Sequence, residues 1–146
     1  MDLGILLALA YQGFTDELRA DLLAGGFDDL GSAYGYVFRA LASNALRLSD
    51  LAQQLQMSNQ GAAKIIDEMC DRGYVERIAD ANDGRAKTLV LAKRGKAALT
   101  AARKFHAKYE KKLRARSNSR EVDVLRQQLE LMIKQAGLDG APLRAL

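Results

Sequence analysis

The apolar residues change from helical to strand spacing at Gly73, and this change constrains the fold more than any other feature of the sequence. Before Gly73, apolar residues recur at helical spacing in two closely spaced segments. These residues are Leu51, Ala52, Leu55, Ala62, Ile65, Ile66 and Met69. After Gly73, residues 74–78 predict a strand and Thr88–Leu91 predicts a returning strand, with a turn signal, Asn-Asp-Gly, at 82–84. We therefore expect two helices followed by a β-hairpin.

Polar residues predict where these two helices begin and end. Ser49 is the expected N-cap of a short helix over Asp50–Leu55. After a tight turn, Ser58 is the expected N-cap of a longer helix over about Asn59–Arg72. Gly73 suits the C′ position that ends the second helix. Two helices joined by so short a turn form a helix-turn-helix, and the hairpin that follows makes the unit a winged helix.

Amphipathic patterns on both sides of this unit predict further helices. One covers about residues 2–24, and another covers about 31–43, with Asp28 and Asp29 near its N-terminus, where the helix dipole favours acidic groups. A long helix begins at Lys93, and a last one follows the polar break at 117–119. The expected buried side of the last helix is Val122, Leu125, Leu129, Met132, Ile133 and Ala136. The fold class is therefore mainly α with a small β wing (α+β).

Composition excludes several kinds of site. With 146 residues the chain has room for one domain with a core. One cysteine, Cys70, and one histidine cannot form a disulfide or the usual Cys/His zinc site, so we expect no metal and no cofactor. We find no nucleophile–base pair and no Gly-rich phosphate loop, so we predict no catalytic residue and no enzyme.

The expected location is the cytoplasm, with no membrane partner. The apolar run near the N-terminus follows an acidic residue, Asp2, where a secretory signal has basic ones. No stretch approaches the roughly 20 apolar residues that a membrane helix needs. The single cysteine fits a reducing compartment.

The charge is unevenly distributed along the chain, which has a net charge of +4. Residues 1–31 contain six acidic side chains and one basic one, whereas residues 93–116 contain ten basic side chains and one acidic one. The second segment attracts polyanions such as nucleic acids. A solvated helix face would explain the same charges without any partner.

The motifs of the central region resemble the MarR family of bacterial transcription regulators. The matching segments are "LSDLAQQLQMSNQGAAKIIDEMCDRGYVER" from Leu48 and the wing "DANDGRAKTLVLAKRG" from Asp80. Asp83-Gly84-Arg85 matches the D-x-R element of the family. The chain departs from the family where a Thr usually follows Leu91, because Ala92 cannot cap the next helix and loses about 1 kcal/mol.

The resemblance implies a homodimer whose intertwined terminal helices present two winged helices to a pseudo-palindromic operator. It implies helical dimerisation regions at 1–30 and 93–146 and a DNA-binding winged helix-turn-helix at 31–92. The expected function is sequence-specific binding of double-stranded DNA by a transcriptional repressor that a small aromatic ligand releases. The alternative is a winged-helix module for protein interaction or non-specific DNA architecture. The terminal helices could equally complete a monomeric core.

The expected DNA contacts lie on the second helix and on the wing. Gln60 can bond a base edge or a phosphate, Ala63 can touch a thymine methyl, and Lys64 can reach a guanine or a phosphate. Arg85 near the tip of the wing suits a narrow minor groove. The full predicted set is Ser58, Asn59, Gln60, Ala63, Lys64, Arg77, Asp83, Arg85 and Lys87. For each of them, an ordinary solvated surface position is the alternative.

Aromatic residues on the terminal and flanking helices are the candidates for a ligand pocket. They are Tyr11, Phe14, Tyr34, Phe38 and Tyr109. Aromatic residues at this spacing also suit a plain hydrophobic core. Cys70, at the end of the second helix, suits an ordinary half-buried position, and a redox switch is the alternative.

Overall fold

The computed structural model describes residues 1–141. Its elements are α1 (Leu3–Ala24), α2 (Tyr34–Leu41), α3 (Leu48–Gln54), α4 (Asn59–Asp71), β1 (Val75–Ala79), β2 (Lys87–Leu91), α5 (Lys93–Arg116) and α6 (Ser119–Gln135). The two strands pair antiparallel, from Val75↔Leu91 to Ala79↔Lys87. The predicted fold class, mainly α with a small β wing, is confirmed. No helix in residues 1–141 combines the length and the apolar character needed to cross a bilayer.

The winged helix encloses the core of the molecule. The predicted inward faces of α3 and α4 are buried apart from the half-buried Ile65, with Leu51 and Ile66 fully buried. Tyr34 and Val37 of α2 close the core from the other side. Leu46 adds an isolated bridge to Leu89, which attaches the chain before α3 to the hairpin. The hairpin is thus held against the two helices by both side chains and backbone.

The ends of α4 agree with the sequence, whereas the start of α3 does not. Ser58 accepts the Gly61 amide at 3.0 Å and caps α4. Gly73 has φ +79°, as a C′ residue requires. The prediction of Ser49 as a cap is wrong, because α3 begins at Leu48 and its N-cap is Arg47, whose side chain makes no capping bond. The bridge at Leu46 and the packing of Leu48 against the core fix this earlier start.

The segment before α2 also differs from the prediction. The helix covers Tyr34–Leu41, shorter than the expected 31–43, so Asp29 does not lie at its first turn. Instead, the Asp29 carboxylate accepts hydrogen bonds from the Tyr74 hydroxyl and from Arg94 Nη1, the latter at 2.9 Å. These two bonds hold the pKa of Asp29 below its usual value. Asp29 therefore joins the chain before α2 to the start of β1 and of α5.

The terminal helices pack on each other through few residues. Phe14 of α1 contacts Phe105 and Tyr109 of α5, with ring centroids 5.6 and 4.9 Å apart. In α6, Val122 is buried, but the rest of its predicted buried side is exposed within the single chain. This group is Leu125, Leu129, Met132, Ile133 and Ala136. The prediction of a buried side for α6 is therefore wrong within one chain, because no element of residues 1–141 covers it.

Candidate nucleic-acid interface

The first turns of α4 present polar and basic side chains to solvent. Asn59, Gln60 and Lys64 are exposed, and Ala63 is half-buried. Ser58 uses its hydroxyl on the Gly61 amide, so it caps the helix as predicted. The first backbone amides of a helix lack partners within the helix, and the N-terminus carries a partial positive charge, so this end suits a phosphate.

The loop of the wing, residues 80–86, is shaped by its own carboxylates. Asp80 Oδ1 accepts the amides of Asn82 and Asp83, at 2.8 and 3.3 Å. Asp83 Oδ1 accepts the amide of Arg85 at 3.1 Å. The bond from the Asp80 amide to the Ala86 carbonyl closes the loop at 3.0 Å. Asp83 thus contacts the backbone of Arg85 and leaves the Arg85 side chain unpaired.

Arg85 lies exposed in this loop. Its guanidinium has no hydrogen-bond or ion-pair partner anywhere in residues 1–141. Lys87, at the start of β2, is also exposed and has no side-chain partner in the same range. Both cations are therefore available to an anion.

Arg77, in contrast, is already paired. Its guanidinium bonds Asp67 of α4 and approaches Cys70 Sγ at 3.3 Å. A phosphate at Arg77 has to compete with Asp67. Burial raises the pKa of the Cys70 thiol, which disfavours the thiolate that a redox-active cysteine needs.

Sequence reasoning missed the partner of Asp80. Arg47 Nε donates to Asp80 Oδ2 at 3.0 Å, and this ion pair joins the start of α3 to the loop of the wing. The two residues are 33 positions apart. Neither has a local motif that indicates the other, so only the packing of the hairpin on α3 reveals the pair.

The five predicted pocket residues fall into two groups. Tyr34 and Phe38 contact each other and Tyr74 inside the winged helix, and the Tyr34 hydroxyl bonds Glu68. Burial raises the pKa of Tyr34 to about 12. Phe14 and Tyr109 contact each other between α1 and α5, and Tyr11 is exposed. Of the five, only Tyr109 lines a shallow cleft of about 230 Å³ between α1 and α5. The ligand pocket stays a prediction.

The basic segment of α5 is partly neutralised. Lys112 pairs with Glu17 of α1 at 3.4 Å, and Arg114 pairs with Glu110 and Asp123 at 2.9 and 2.7 Å. Other basic residues of α5 are exposed and have no ion pair within residues 1–141: Lys93, Lys96, Arg103, Lys104, Lys108 and Lys111. The ion pair between Lys112 and Glu17 therefore neutralises charge only near the C-terminal end of α5, and these other basic side chains stay exposed.

Comparison with known proteins finds a family model and a curated relative that are similar to this chain. Residues 28–86 match the model of the MarR family. A curated relative is the exopolysaccharide II synthesis transcriptional activator ExpG of Rhizobium meliloti (strain 1021), which is 25% identical over 112 residues. That alignment covers 77% of this chain and 58% of ExpG, so the chain spans less than two thirds of the relative's length.

Solved structures show the same fold over nearly the whole chain. A mutant of S. aureus MepR matches with a TM-score of 0.73 at 16% identity and covers 93% of this chain and 99% of its own. Streptococcus pneumoniae FabT in complex with DNA matches with a TM-score of 0.74 at 17% identity, covering 93% and 98%. The repressor CouR bound to a 23-mer DNA duplex matches with a TM-score of 0.68 at 22% identity, covering 90% and 92%. These likenesses confirm the winged-helix fold.

Proposed function

We propose that the chain is a transcription regulator of the MarR family, whose model matches residues 28–86, and that it binds double-stranded DNA at specific sequences. The observation that carries this function is the unpaired Arg85 guanidinium on a wing loop whose backbone is fixed by Asp80 and Asp83. Because the loop backbone is already fixed, it loses little conformational entropy when Arg85 binds in a DNA groove. The solved structures of FabT and CouR, which have this fold, are complexes with DNA.

In the proposed complex, α4 enters the major groove with its N-terminal turns. Gln60 and Lys64 then face base edges or phosphates, and Ala63 meets a thymine methyl. Asn59 and the backbone amide of Ser58 contact the DNA backbone. The exposure of Asn59, Gln60 and Lys64 supports this arrangement.

The wing contributes the second contact. Arg85 enters the adjacent minor groove, where a narrow groove concentrates negative potential, and Lys87 neutralises a phosphate. Asp83 keeps the loop in shape through the Arg85 amide. Arg77 contributes only if the operator backbone displaces Asp67 from it.

The operator is pseudo-palindromic and is bound by a homodimer. In this proposal residues 1–30 and 93–146 form the dimerisation region, and residues 31–92 form the DNA-binding domain. Exposed apolar side chains on α1 and α6, such as Leu6 and Leu125, support a second copy as their cover. Two recognition helices on one face of DNA lie roughly 34–36 Å apart or a multiple of that distance.

Regulation follows from occupancy of a promoter in the cytoplasm. The dimer represses by blocking polymerase, and a small aromatic ligand releases it by changing the spacing of the two α4 helices. The ring contacts of Phe14, Phe105 and Tyr109, beside the cleft of about 230 Å³, support an aromatic ligand near α1 and α5. ExpG is named an activator, so a reporter assay of the bound promoter decides the sign.

Selection from a random duplex pool at about physiological salt tests this function. The wild type should enrich a pseudo-palindrome, and Arg85→Ala should bind it about 5- to 150-fold more weakly, as expected for loss of about 1–3 kcal/mol. Arg103→Ala is the matched control, since Arg103 is an exposed, unpaired arginine of α5. Weak recovery of all sequences with a strong salt dependence would instead support the non-specific architectural module.

A further inference from the structure

We propose that Arg47 is a positioning residue for the wing, and that its ion pair with Asp80 holds Arg85 in place relative to α4. This inference rests on the proposed function, because it concerns how the two DNA contacts are kept in register. The local sequence around Arg47 does not indicate this role. The role follows from the contacts that the Asp80 carboxylate makes in the structure.

The ion pair connects two elements that the chain itself leaves far apart. Arg47 occupies the N-cap of α3 but makes no capping bond there, and its Nε donates to Asp80 Oδ2 at 3.0 Å. The Asp80 side chain is only 11% exposed, against 48% for Arg47. The carboxylate is thus the sheltered anchor, and the arginine reaches it from the solvent side.

The Asp80 carboxylate connects Arg47 to the tip of the wing through hydrogen bonds. One carboxylate oxygen accepts from Arg47, while the other accepts the amides of Asn82 and Asp83. Asp83 in turn accepts the amide of Arg85. An unbroken series of hydrogen bonds therefore runs from the start of α3 to the backbone of Arg85. The same amides and Arg47 hold the pKa of Asp80 below its usual value, so the carboxylate stays charged.

The backbone next to Arg47 is tied to the hairpin as well. Leu46 and Leu89 exchange amide–carbonyl bonds at 3.2 and 2.7 Å. This bridge fixes the middle of β2, whereas the loop beyond Ala79↔Lys87 extends past the last strand pair. The Arg47–Asp80 pair is the side-chain contact that attaches this outer part to α3.

A loop held in this way keeps Arg85 near its bound position before DNA arrives, which reduces the ordering cost of binding. Loss of Arg47 should therefore weaken binding through Arg85 and not through a contact of its own. This distinction makes the role measurable. The coupling between the two residues separates positioning from a direct phosphate contact.

The first experiment is a double-mutant cycle with the selected operator as the probe. We expect Arg47→Ala to weaken binding about three- to tenfold in the wild-type background and to have little effect in the Arg85→Ala background. Arg47→Lys should retain part of the affinity, since an ammonium can still donate to Asp80. Equal losses in both backgrounds would overturn the proposal and assign Arg47 to a phosphate. No loss in either background would overturn it too.

The second experiment measures the wing without DNA. A nitroxide is attached to Gly84→Cys in a Cys70→Ser background, because Gly84 is exposed and an added Cβ there meets no atom within 4 Å. Its spectrum should show faster motion after Arg47→Ala and unchanged motion after Arg103→Ala. Unchanged motion after Arg47→Ala would overturn the positioning role of Arg47. The proposed function would still stand in that case, provided that the wild type enriches an operator and Arg85→Ala weakens its binding. If the wild type enriches no sequence from the random pool, both the proposed function and the positioning role of Arg47 are overturned.

Discussion

At the scale of single residues, Gly95 shows how closely the wing and α5 approach. A Cβ at Gly95 would lie 2.1 Å from the carbonyl oxygen of Tyr74. The Ala92 amide donates to that same oxygen at 2.9 Å, so the carbonyl cannot move aside without losing a bond. The glycine is therefore required by space and not by backbone conformation.

Gly95→Ala should lower the free energy of unfolding. Forcing a methyl group into a packed site costs about 1–3 kcal/mol, and contact with a fixed carbonyl favours the upper part of that range. Urea denaturation at equal protein concentration measures the change. Gly35→Ala is the matched control, because a Cβ at Gly35 meets no atom within 4 Å and alanine favours helix. A loss at Gly95 no larger than at Gly35 would contradict the close approach.

At the scale of elements, the helices differ in how their starts are stabilised. Ser58 caps α4, and Asn118 forms a reciprocal capping box with Glu121 at the start of α6. Ala92 occupies the N-cap of α5 with an extended backbone, φ −75° and ψ 174°, but provides no capping oxygen. The first turn of α5 also contains Lys93 and Arg94, which the helix dipole disfavours there.

Replacing Ala92 by serine should stabilise the protein. The backbone already has the conformation of an N-cap, so a hydroxyl can accept an amide of the first turn and add about 1 kcal/mol to the free energy of unfolding. Ser58→Ala should remove a similar amount, since that cap bond is present at 3.0 Å. Both changes are measured by the same denaturation. A serine at position 92 that adds nothing would show that other contacts set the start of α5.

The same comparison shows which features the sequence can predict. Ser58 and Gly73 act on neighbouring amides and carbonyls, so local patterns identify both ends of α4. Ser49 was the wrong cap because the start of α3 depends on the distant bridge between Leu46 and Leu89.

The residues of the candidate site divide in the same way. Helical spacing alone predicts that Gln60 and Lys64 lie on the exposed first turns of α4, and both do. The pairing of Arg77 with Asp67 and of Arg47 with Asp80 arises from the packing of the hairpin against α3 and α4. Such pairs join residues without a fixed spacing, so a single sequence does not predict them.

At the scale of the whole molecule, the apolar surface is uneven. The winged helix buries its apolar faces within one chain, whereas the N-terminal half of α1 exposes several large apolar residues. These exposed residues of α1 include Leu3, Ile5, Leu6 and Leu9. Periodicity predicts such faces but does not say what covers them. Contiguous exposed apolar surface of this kind marks an interface, which is why we propose a second copy.

Leu6→Glu should therefore separate the proposed dimer. Leu6 is 50% exposed in one chain, and a carboxylate buried there by a partner would be costly without a compensating cation. Sedimentation should show the wild type at twice its 16.0 kDa chain mass and the variant as a monomer. Gln12→Glu adds the same charge at another exposed site of α1 and should remain dimeric. Because the winged helix has its own core, the Leu6→Glu monomer should still fold and should bind single half-sites weakly. A variant that stays dimeric would show that the apolar half of α1 is not the interface.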